Sequence, residues 1–242
     1  GQVDLSGHPI APGCFDVTVL TNNSEDATAD VAREYAERHP TFPLRVLERN
    51  APAECATLGG ARRSLIDDAC ARFDADGHDG IVASTNAHTT VAPDWIAATL
   101  AEFAHGADVV GGRIVLSAAE LARMDPELRR MHLQDTGYHL MLAELGARVD
   151  PCPCDPPPCH HQHASASLAV RSEVYRHARA VADTQLSDDA SLYEALERID
   201  ARVRHSPHVR ATATQALGAE DVWPLGAHAG QPILVETVPR SL

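Results

Sequence analysis

Residues 81–96 read IVASTNAHTTVAPDWI, and this stretch decides the fold. The apolar run 81–83 has the character of a buried strand, and Pro93 suits the first position of a helix. The helix is predicted from an apolar stripe at helical spacing, formed by Trp95, Ile96, Leu100 and Phe103. Residues 84–90 lie between strand and helix, at the edge where open α/β sheets bind ligands. This segment is therefore either a ligand-binding loop or a solvated polar connection.

Length and charge bound the class of protein. A chain of 242 residues predicts one domain over 1–242, large enough to bury roughly three quarters of its unfolded surface. The formal charge is −14 and every basic residue is an arginine, which argues against broad contact with nucleic acid or anionic lipid. We find no apolar run of membrane-spanning length and no basic-then-apolar amino-terminal signal, so we expect no membrane span and a cytoplasmic location.

Strand and helix patterns alternate along the chain. Strands are predicted at 15–20, 44–48, 81–83, 108–116, 164–171 and 202–212. Helices are predicted at 24–38, 59–73, 93–104, 172–179 and 189–199, with an amphipathic helical insertion at about 117–147. This alternation is typical of an α/β fold with a mixed, mainly parallel sheet flanked by helices.

Three local features add detail. Ser24 is a good N-cap for the first helix, whose apolar face we assign to Val31 and Tyr35. The next helix should bury one stripe, formed by Leu65, Ile66, Ala69, Cys70 and Phe73. Gly111 and Gly112 interrupt a predicted strand, which indicates a bulge or a close backbone approach.

Several of these segments together resemble family 2 glycosyltransferases and related GT-A enzymes. Asn86-Ala87-His88 followed by Pro93-Asp94-Trp95-Ile96 is similar to the family's Asp-x-Asp loop and its Pro-Asp-Trp-Ile sequence. The stretch 21–28, TNNSEDAT, resembles the motif Asp-Asp-x-Ser-x-Asp-x-Thr, and 59–63, GGARR, resembles Gly-x-Ala-Arg-Asn. Residues 164–171 and the acids Asp188-Asp189 also follow the family order.

The resemblance implies a GT-A, Rossmann-like fold that transfers a sugar from a UDP- or GDP-sugar to an unidentified acceptor. It divides the chain into a nucleotide-binding half at about 15–105, an acceptor and catalytic half at 106–216, and a tail at 217–242. The nucleotide-binding residues that it implies are Asn22, Asn23, Asp26, Arg62 and Asn86. Arg63 stands where the family commonly has Asn, and an Arg beside a helix amino-terminus can meet a pyrophosphate.

The catalytic and metal-binding candidates come from the same resemblance. Asp189 occupies the position of the catalytic base of inverting members, although paired acids at a helix start are equally explained by capping. His88 stands at the second acid of the Asp-x-Asp loop, and we predict that it binds a divalent metal with Asn86 and His205. The ion would be Mn or Mg, with Zn or Co as alternatives because imidazole is a ligand.

Two departures from the family pattern leave further hypotheses open. The acids of the Asp-x-Asp loop are replaced by Asn86 and His88, and the family's first strand has no counterpart before residue 15. A catalytically inactive binding protein of the same fold is therefore the second hypothesis. The third is a zinc-binding module on the proline-rich loop 150–163, whose candidate ligands are Cys152, Cys154, Cys159, His160, His161 and His163. The spacing Cys152-x-Cys154 is tighter than that of the usual zinc knuckle, and the competing interpretation is a stiff rim loop.

Overall fold

A computed structural model describes residues 1–11, 13–52, 57–162, 166–182, 189–213 and 233–239, with the backbone alone for 189–190 and 233–239. The strands are β1 (Asp16–Asn22), β2 (Leu44–Arg49), β3 (Gly80–Asn86), β4 (Thr89–Val91), β5 (Val109–Leu116), β6 (Ser167–Arg171), β7 (Val203–Ala213) and β8 (Ile233–Pro239). The helices are α1 (Thr28–Arg38), α2 (Leu58–Asp76), α3 (Trp95–Ala104), α4 (Ala118–Arg123), α5 (Pro126–Val149), α6 (Ser172–Val181) and α7 (Asp189–Arg198). Among these helices none is both long and apolar enough to cross a membrane.

The chain forms two compact units, each discontinuous in sequence. The first comprises Gly1–Pro9, His88–Leu168 and Arg202–Leu225, and the second comprises Ile10–Ala87, Ala169–Ala201 and Gly226–Leu242. This division does not follow the predicted halves, because α3 belongs to the first unit, whereas α6 and α7 belong to the second. The prediction of one domain over 1–242 stays a prediction.

The second unit is built on strands in the order β2-β1-β8-β3. β1 and β2 are parallel, with Val17 opposite Leu44, and β8 runs antiparallel to both of its neighbours. The core beneath these strands includes the predicted α2 stripe in full, since Leu65, Ile66, Ala69, Cys70 and Phe73 are all buried. The period of the α2 pattern therefore identified its buried face correctly.

The first unit holds the strand order β5-β7-β4, with β5 and β7 parallel and β4 antiparallel to β7. The register between β5 and β7 shifts at Gly112, where a Cβ atom would overlap Ser167 Oγ and Val209. The predicted bulge and close approach are therefore both confirmed. Trp95 is buried in this unit and donates from Nε1 to Ser167 Oγ over 2.9 Å.

The mixed α/β class is confirmed, and α4 and α5 form the helical insertion. The expected predominance of parallel pairs is not seen among the strand pairs given above, because β8 returns antiparallel between β1 and β3. Before β1 the described residues contain an isolated bridge between Val3 and Pro9 and no strand. The GT-A arrangement in particular stays a prediction.

Three expectations about helix ends and faces are wrong. α1 begins at Thr28 instead of following Ser24, because Asp26 Oδ1 accepts the Thr28 N–H at 3.0 Å. Its buried residue is Ala29, while Val31 and Tyr35 are 58% and 43% exposed. A small residue brings α1 against the sheet, so its larger apolar side chains face solvent. α3 likewise begins at Trp95, two residues after Pro93.

Candidate functional site

A cavity of about 340 Å³ lies within the second unit. It is bounded by the ends of β1 and β2 and by the first turns of α2. Its lining residues are Leu20, Asn22, Arg49, Asn50, Ala51, Gly60, Ala61, Arg63 and Ser64. Because β1 and β2 are parallel, their carboxyl ends meet at one edge of the sheet, which is where open α/β sheets place ligands.

The start of α2 lies beside the cavity. Thr57 is the N-cap and its Oγ1 accepts the Gly60 N–H at 3.0 Å, so the helix begins with its first turn beside the cavity. Gly60 and Ala61 donate their N–H groups to Thr57, so this end of the helix acts on a ligand through the positive potential of the helix dipole. This end of α2 therefore favours an anion.

Asn23 holds the loop that forms another wall of the cavity. Its backbone has φ 55°, a left-handed conformation that Asn tolerates better than most residues. Its side chain donates to Ala51 O and accepts from Ala51 N, both at 3.0 Å, and its own N–H donates to Arg49 O at 2.9 Å. Both polar atoms of the amide are therefore used to fix residues 49–51. Asn23 shapes the cavity instead of lining it.

The charge of the cavity is opposite to that of the chain. Among its described lining residues none is acidic, whereas Arg49 and Arg63 are basic. Arg49 is held by Ser64 Oγ and lies 3.7 Å from Asp68 Oδ1, with 45% of its side chain exposed. In a chain of formal charge −14, such a local excess of guanidinium groups suits a small anionic ligand.

The structure brings two of the predicted nucleotide-binding residues together away from the cavity lining. Arg62 donates from Nη2 to Asn86 Oδ1 over 3.0 Å. Their exposed fractions are 4% and 8%, so the pair is interior. Asn22 does line the cavity, whereas Asp26 is exposed and its Oδ1 accepts the N–H of Thr28, the first residue of α1. The hydrogen bond from Thr28 lowers the pKa of Asp26.

The predicted metal ligands lie on different segments of the chain. His88 is half-buried between β3 and β4. His205 lies on β7, where its Nδ1 is 2.8 Å from Asp155 Oδ2 and its N–H donates to Asp155 Oδ1 at 2.9 Å. Within the part of the chain that the structure describes, no three His, Cys, Asp or Glu side chains form a group that could hold a metal ion. Metal binding by Asn86, His88 and His205 stays a prediction.

Asp155 is part of a charged cluster that fastens the proline-rich loop to β7. Arg204, whose side chain is 8% exposed, donates to Asp155 Oδ1 at 2.8 Å and to Pro156 O at 2.7 Å. Burial alone would raise the pKa of Asp155, but hydrogen bonds from His205 and Arg204 outweigh it and leave that pKa lowered. Glu102 completes the cluster by pairing with Arg204 and accepting from Ser206 Oγ. The cluster supports the interpretation of a stiff rim loop.

The candidate zinc ligands are engaged in other contacts. Cys152 and Cys154 form a disulfide, which removes both thiols from metal binding in this state. His160 is buried, with Nε2 3.0 Å from Gly111 O and Nδ1 3.1 Å from the Gln162 N–H. Burial raises the pKa of the Cys159 thiol, which also disfavours the thiolate that zinc requires. His161 stacks on His139, and His163 lies outside the described residues.

Asp189 is the first residue of α7, and its side chain lies outside the described part of the structure. The position at a helix start agrees with the sequence. Its assignment as catalytic base stays a prediction.

Sequence reasoning missed part of the cavity. Arg49, Asn50 and Ser64 line it, yet they lie outside every motif that carried the resemblance. The sequence does contain a signal for Arg49 and Asn50, because they lie at the carboxyl end of β2. Since β2 is parallel to β1, the two strands end at the same edge of the sheet. Comparison of the chain with known protein families and with curated proteins found no match.

Proposed function

We propose that the chain binds the nucleoside diphosphate part of a UDP- or GDP-sugar in the cavity of the second unit and transfers the sugar to an acceptor. The observation that carries the proposal is the cavity itself. It lies where two parallel strands end and α2 begins, and it is lined by two arginines with no acid among its described residues. Backbone amides of a helix start and guanidinium groups are the donors that proteins use for phosphate.

The size and lining of the cavity support this class of ligand. A volume of about 340 Å³ falls at the lower end of the range for small-molecule sites. Arg63 and Arg49 would bind the diphosphate, and the buried amide of Asn22 would meet the edge of a base by donating and accepting hydrogen bonds. The transfer step rests on the order of the sequence motifs, with Asp189 as the base that deprotonates the acceptor hydroxyl.

The proposed reaction is written without a metal, and two observations support this choice. Asn86 Oδ1 accepts from the buried Arg62, which puts a positive charge beside the first predicted ligand and disfavours a second cation there. His88 and His205 have no third described His, Cys, Asp or Glu with which to form a metal-binding group. No step of the proposed reaction is therefore routed through a metal.

The pair of Arg62 and Asn86 favours a second candidate function, a nucleotide-binding protein of the same fold without transferase activity. In that case the arginines of the cavity would suffice for binding, and metal would have no effect. The zinc-binding module is not favoured, because Cys152 and Cys154 are paired with each other.

Calorimetric titration with UDP and with GDP, each with and without Mn²⁺ or Mg²⁺, tests these proposals. We expect saturable binding of at least one nucleotide, which Arg63→Met weakens and Arg38→Met does not. Arg38 is the control because it is an exposed arginine of the same unit, paired with Glu34 on α1. Release of UDP or GDP from the corresponding sugar nucleotides then separates a transferase from a binding protein. Failure of both nucleotides to bind at about 1 mM, which corresponds to about −4 kcal/mol, would overturn both candidates.

A further inference from the structure

Helix α5 presents an apolar stripe to solvent along most of its length. None of its residues is buried, and the stripe consists of Met131, Tyr138, Met141, Leu142, Leu145 and Val149. Their exposed fractions run from 44% to 76%. Positions 131, 138 and 145 recur at heptad spacing, and 141, 142 and 149 lie beside them on the same face. Exposed apolar stripes of this extent mark sites of protein or membrane association, and the acidic charge of the chain disfavours an anionic membrane.

The charges on α5 differ from those of the chain as a whole. Its acids Glu127, Asp135 and Glu144 are balanced by Arg129, Arg130 and Arg148, whereas the chain carries −14. The helix is therefore the part of an acidic surface that two copies can bring together with little repulsion.

The order of those charges suits an antiparallel arrangement. Arg130 lies one heptad before Gly137 and Glu144 lies one heptad after it, so all three lie along the same flank of the stripe. When two α5 helices run antiparallel about a two-fold axis at Gly137, Arg130 faces Glu144 of the partner subunit, and the contact occurs twice.

Gly137 supports the same axis. A Cβ atom at this position would meet nothing within 4 Å in its own chain, so no intrachain contact requires glycine there. Glycine in a helix interior costs about 1 kcal/mol relative to alanine. On the flank of the stripe, where Arg130 and Glu144 of two copies would meet, its lack of a side chain leaves room for these long side chains.

We infer that α5 is a homodimer interface, in which the stripe of one copy packs antiparallel on the stripe of a second copy about Gly137. Met131 then lies against Met141 of the partner subunit. Each of the six side chains exposes roughly half of its surface of ~200 Å². Burying all of them in both copies removes on the order of 1,200 Å² from water, which is near the lower limit for a specific dimer. We expect a dimer that dissociates on dilution.

Sedimentation velocity of the whole chain from about 1 μM to about 100 μM tests the inference, since this range spans standard free energies near −8 to −5 kcal/mol. The parent should shift from monomer to dimer as concentration rises. Leu145→Glu should remain monomeric, and Leu5→Glu is the control, because Leu5 is also exposed, at 66%, and lies outside α5. Circular dichroism establishes that each variant retains the parent's fold, which an exposed substitution should leave intact.

Exchange of the charges at positions 130 and 144 distinguishes the proposed register from non-specific hydrophobic association. Arg130→Glu and Glu144→Arg should each raise the dimer dissociation constant about tenfold or more, and the double exchange should restore it to near the parent value, because opposite charges again face each other. The inference is overturned if the parent protein stays monomeric over the whole concentration range. It is also overturned if the monomer co-floats with phosphatidylcholine vesicles, because the stripe would then bind a membrane surface. A dimer that Leu145→Glu leaves intact, or that the double exchange fails to restore, also overturns it.

Discussion

Arg62 and Asn86 form a buried hydrogen-bonded pair, Nη2 to Oδ1 at 3.0 Å, that joins the start of α2 to the carboxyl end of β3. Both residues come from motifs that predict nucleotide contact, yet neither lines the cavity. A buried guanidinium is costly unless acceptors surround it, so Asn86 has a structural task whatever the ligand. This task explains why an amide at that position is compatible with the fold.

We predict that Asn86→Ala lowers the free energy of unfolding by about 2–3 kcal/mol, because it removes an acceptor from a buried charged group. Asn86→Asp should retain the stability, since a carboxylate both accepts the hydrogen bond and neutralises Arg62. Urea unfolding followed by circular dichroism measures the difference. Asn50→Ala, in the cavity wall, is the control and should stay within about 0.5 kcal/mol of the parent. A similarly small loss for Asn86→Ala would contradict the role given to the pair.

The cavity arginines should determine nucleotide affinity. Arg63→Met is expected to weaken UDP or GDP binding about tenfold, the loss of a hydrogen bond to a charged group worth about 1.5 kcal/mol. It should also reduce the dependence of affinity on salt, because one ionic contact to phosphate is gone. Calorimetry at two salt concentrations measures both effects against Arg38→Met. Equal affinities for the two variants would place the diphosphate elsewhere.

The burial of His160 should make stability depend on pH. Burial, followed by the charge of the nearby His205, lowers the pKa of His160 to about 4 from its usual 6.5. Between these values the unfolded chain binds the proton and the folded chain does not, so the free energy of unfolding rises with pH across that window. Across the whole window the free energy of unfolding changes by about 3 kcal/mol, and this amount of stability is lost as the pH falls from 6.5 towards 4.

His160→Gln should flatten this part of the pH profile, because the variant has no imidazole to titrate. The control is His8→Gln, because the side chain of His8 is largely exposed near the amino-terminus. Urea midpoints at half-unit steps of pH between about 4 and about 7 give the two slopes. An unchanged slope in His160→Gln would show that other groups carry the pH dependence.

Asp189→Asn separates a catalytic role from a capping role. A general base must be ionised, whereas asparagine supports a helix start about as well as aspartate. We therefore expect sugar transfer to be lost while the free energy of unfolding changes by less than about 0.5 kcal/mol. Product release from a UDP- or GDP-sugar is the measurement, with nucleotide binding retained. Transfer at the parent rate would leave Asp189 with a structural role alone.

Local pattern was sufficient for a large part of the architecture. The strands β1, β2 and β5, the buried face of α2 and the close approach at Gly112 follow from periodicity and residue type within a single segment. The cavity lies at the carboxyl ends of two parallel strands, where a general rule of α/β sheets places ligands, but Asn22 alone of the predicted nucleotide-binding residues lines it. Each of these features depends on neighbours that are close in the chain or on a general rule of sheets.

Contacts between residues far apart in the chain decided the direction of the α2 arginines, the role of Asn23 and the order of the strands. Arg62 and Arg63 are adjacent in sequence, but successive residues of an α-helix point about 100° apart, so one turns inward to Asn86 and the other faces the cavity. Asn23 fixes the loop after β2 because the backbone of Ala51 lies opposite its side-chain amide. The sheet contains antiparallel pairs because β8 lies between β1 and β3 and runs antiparallel to both. Such pairings join residues that are far apart in the chain, and their free energy depends on packing and burial that exist only once the chain has folded.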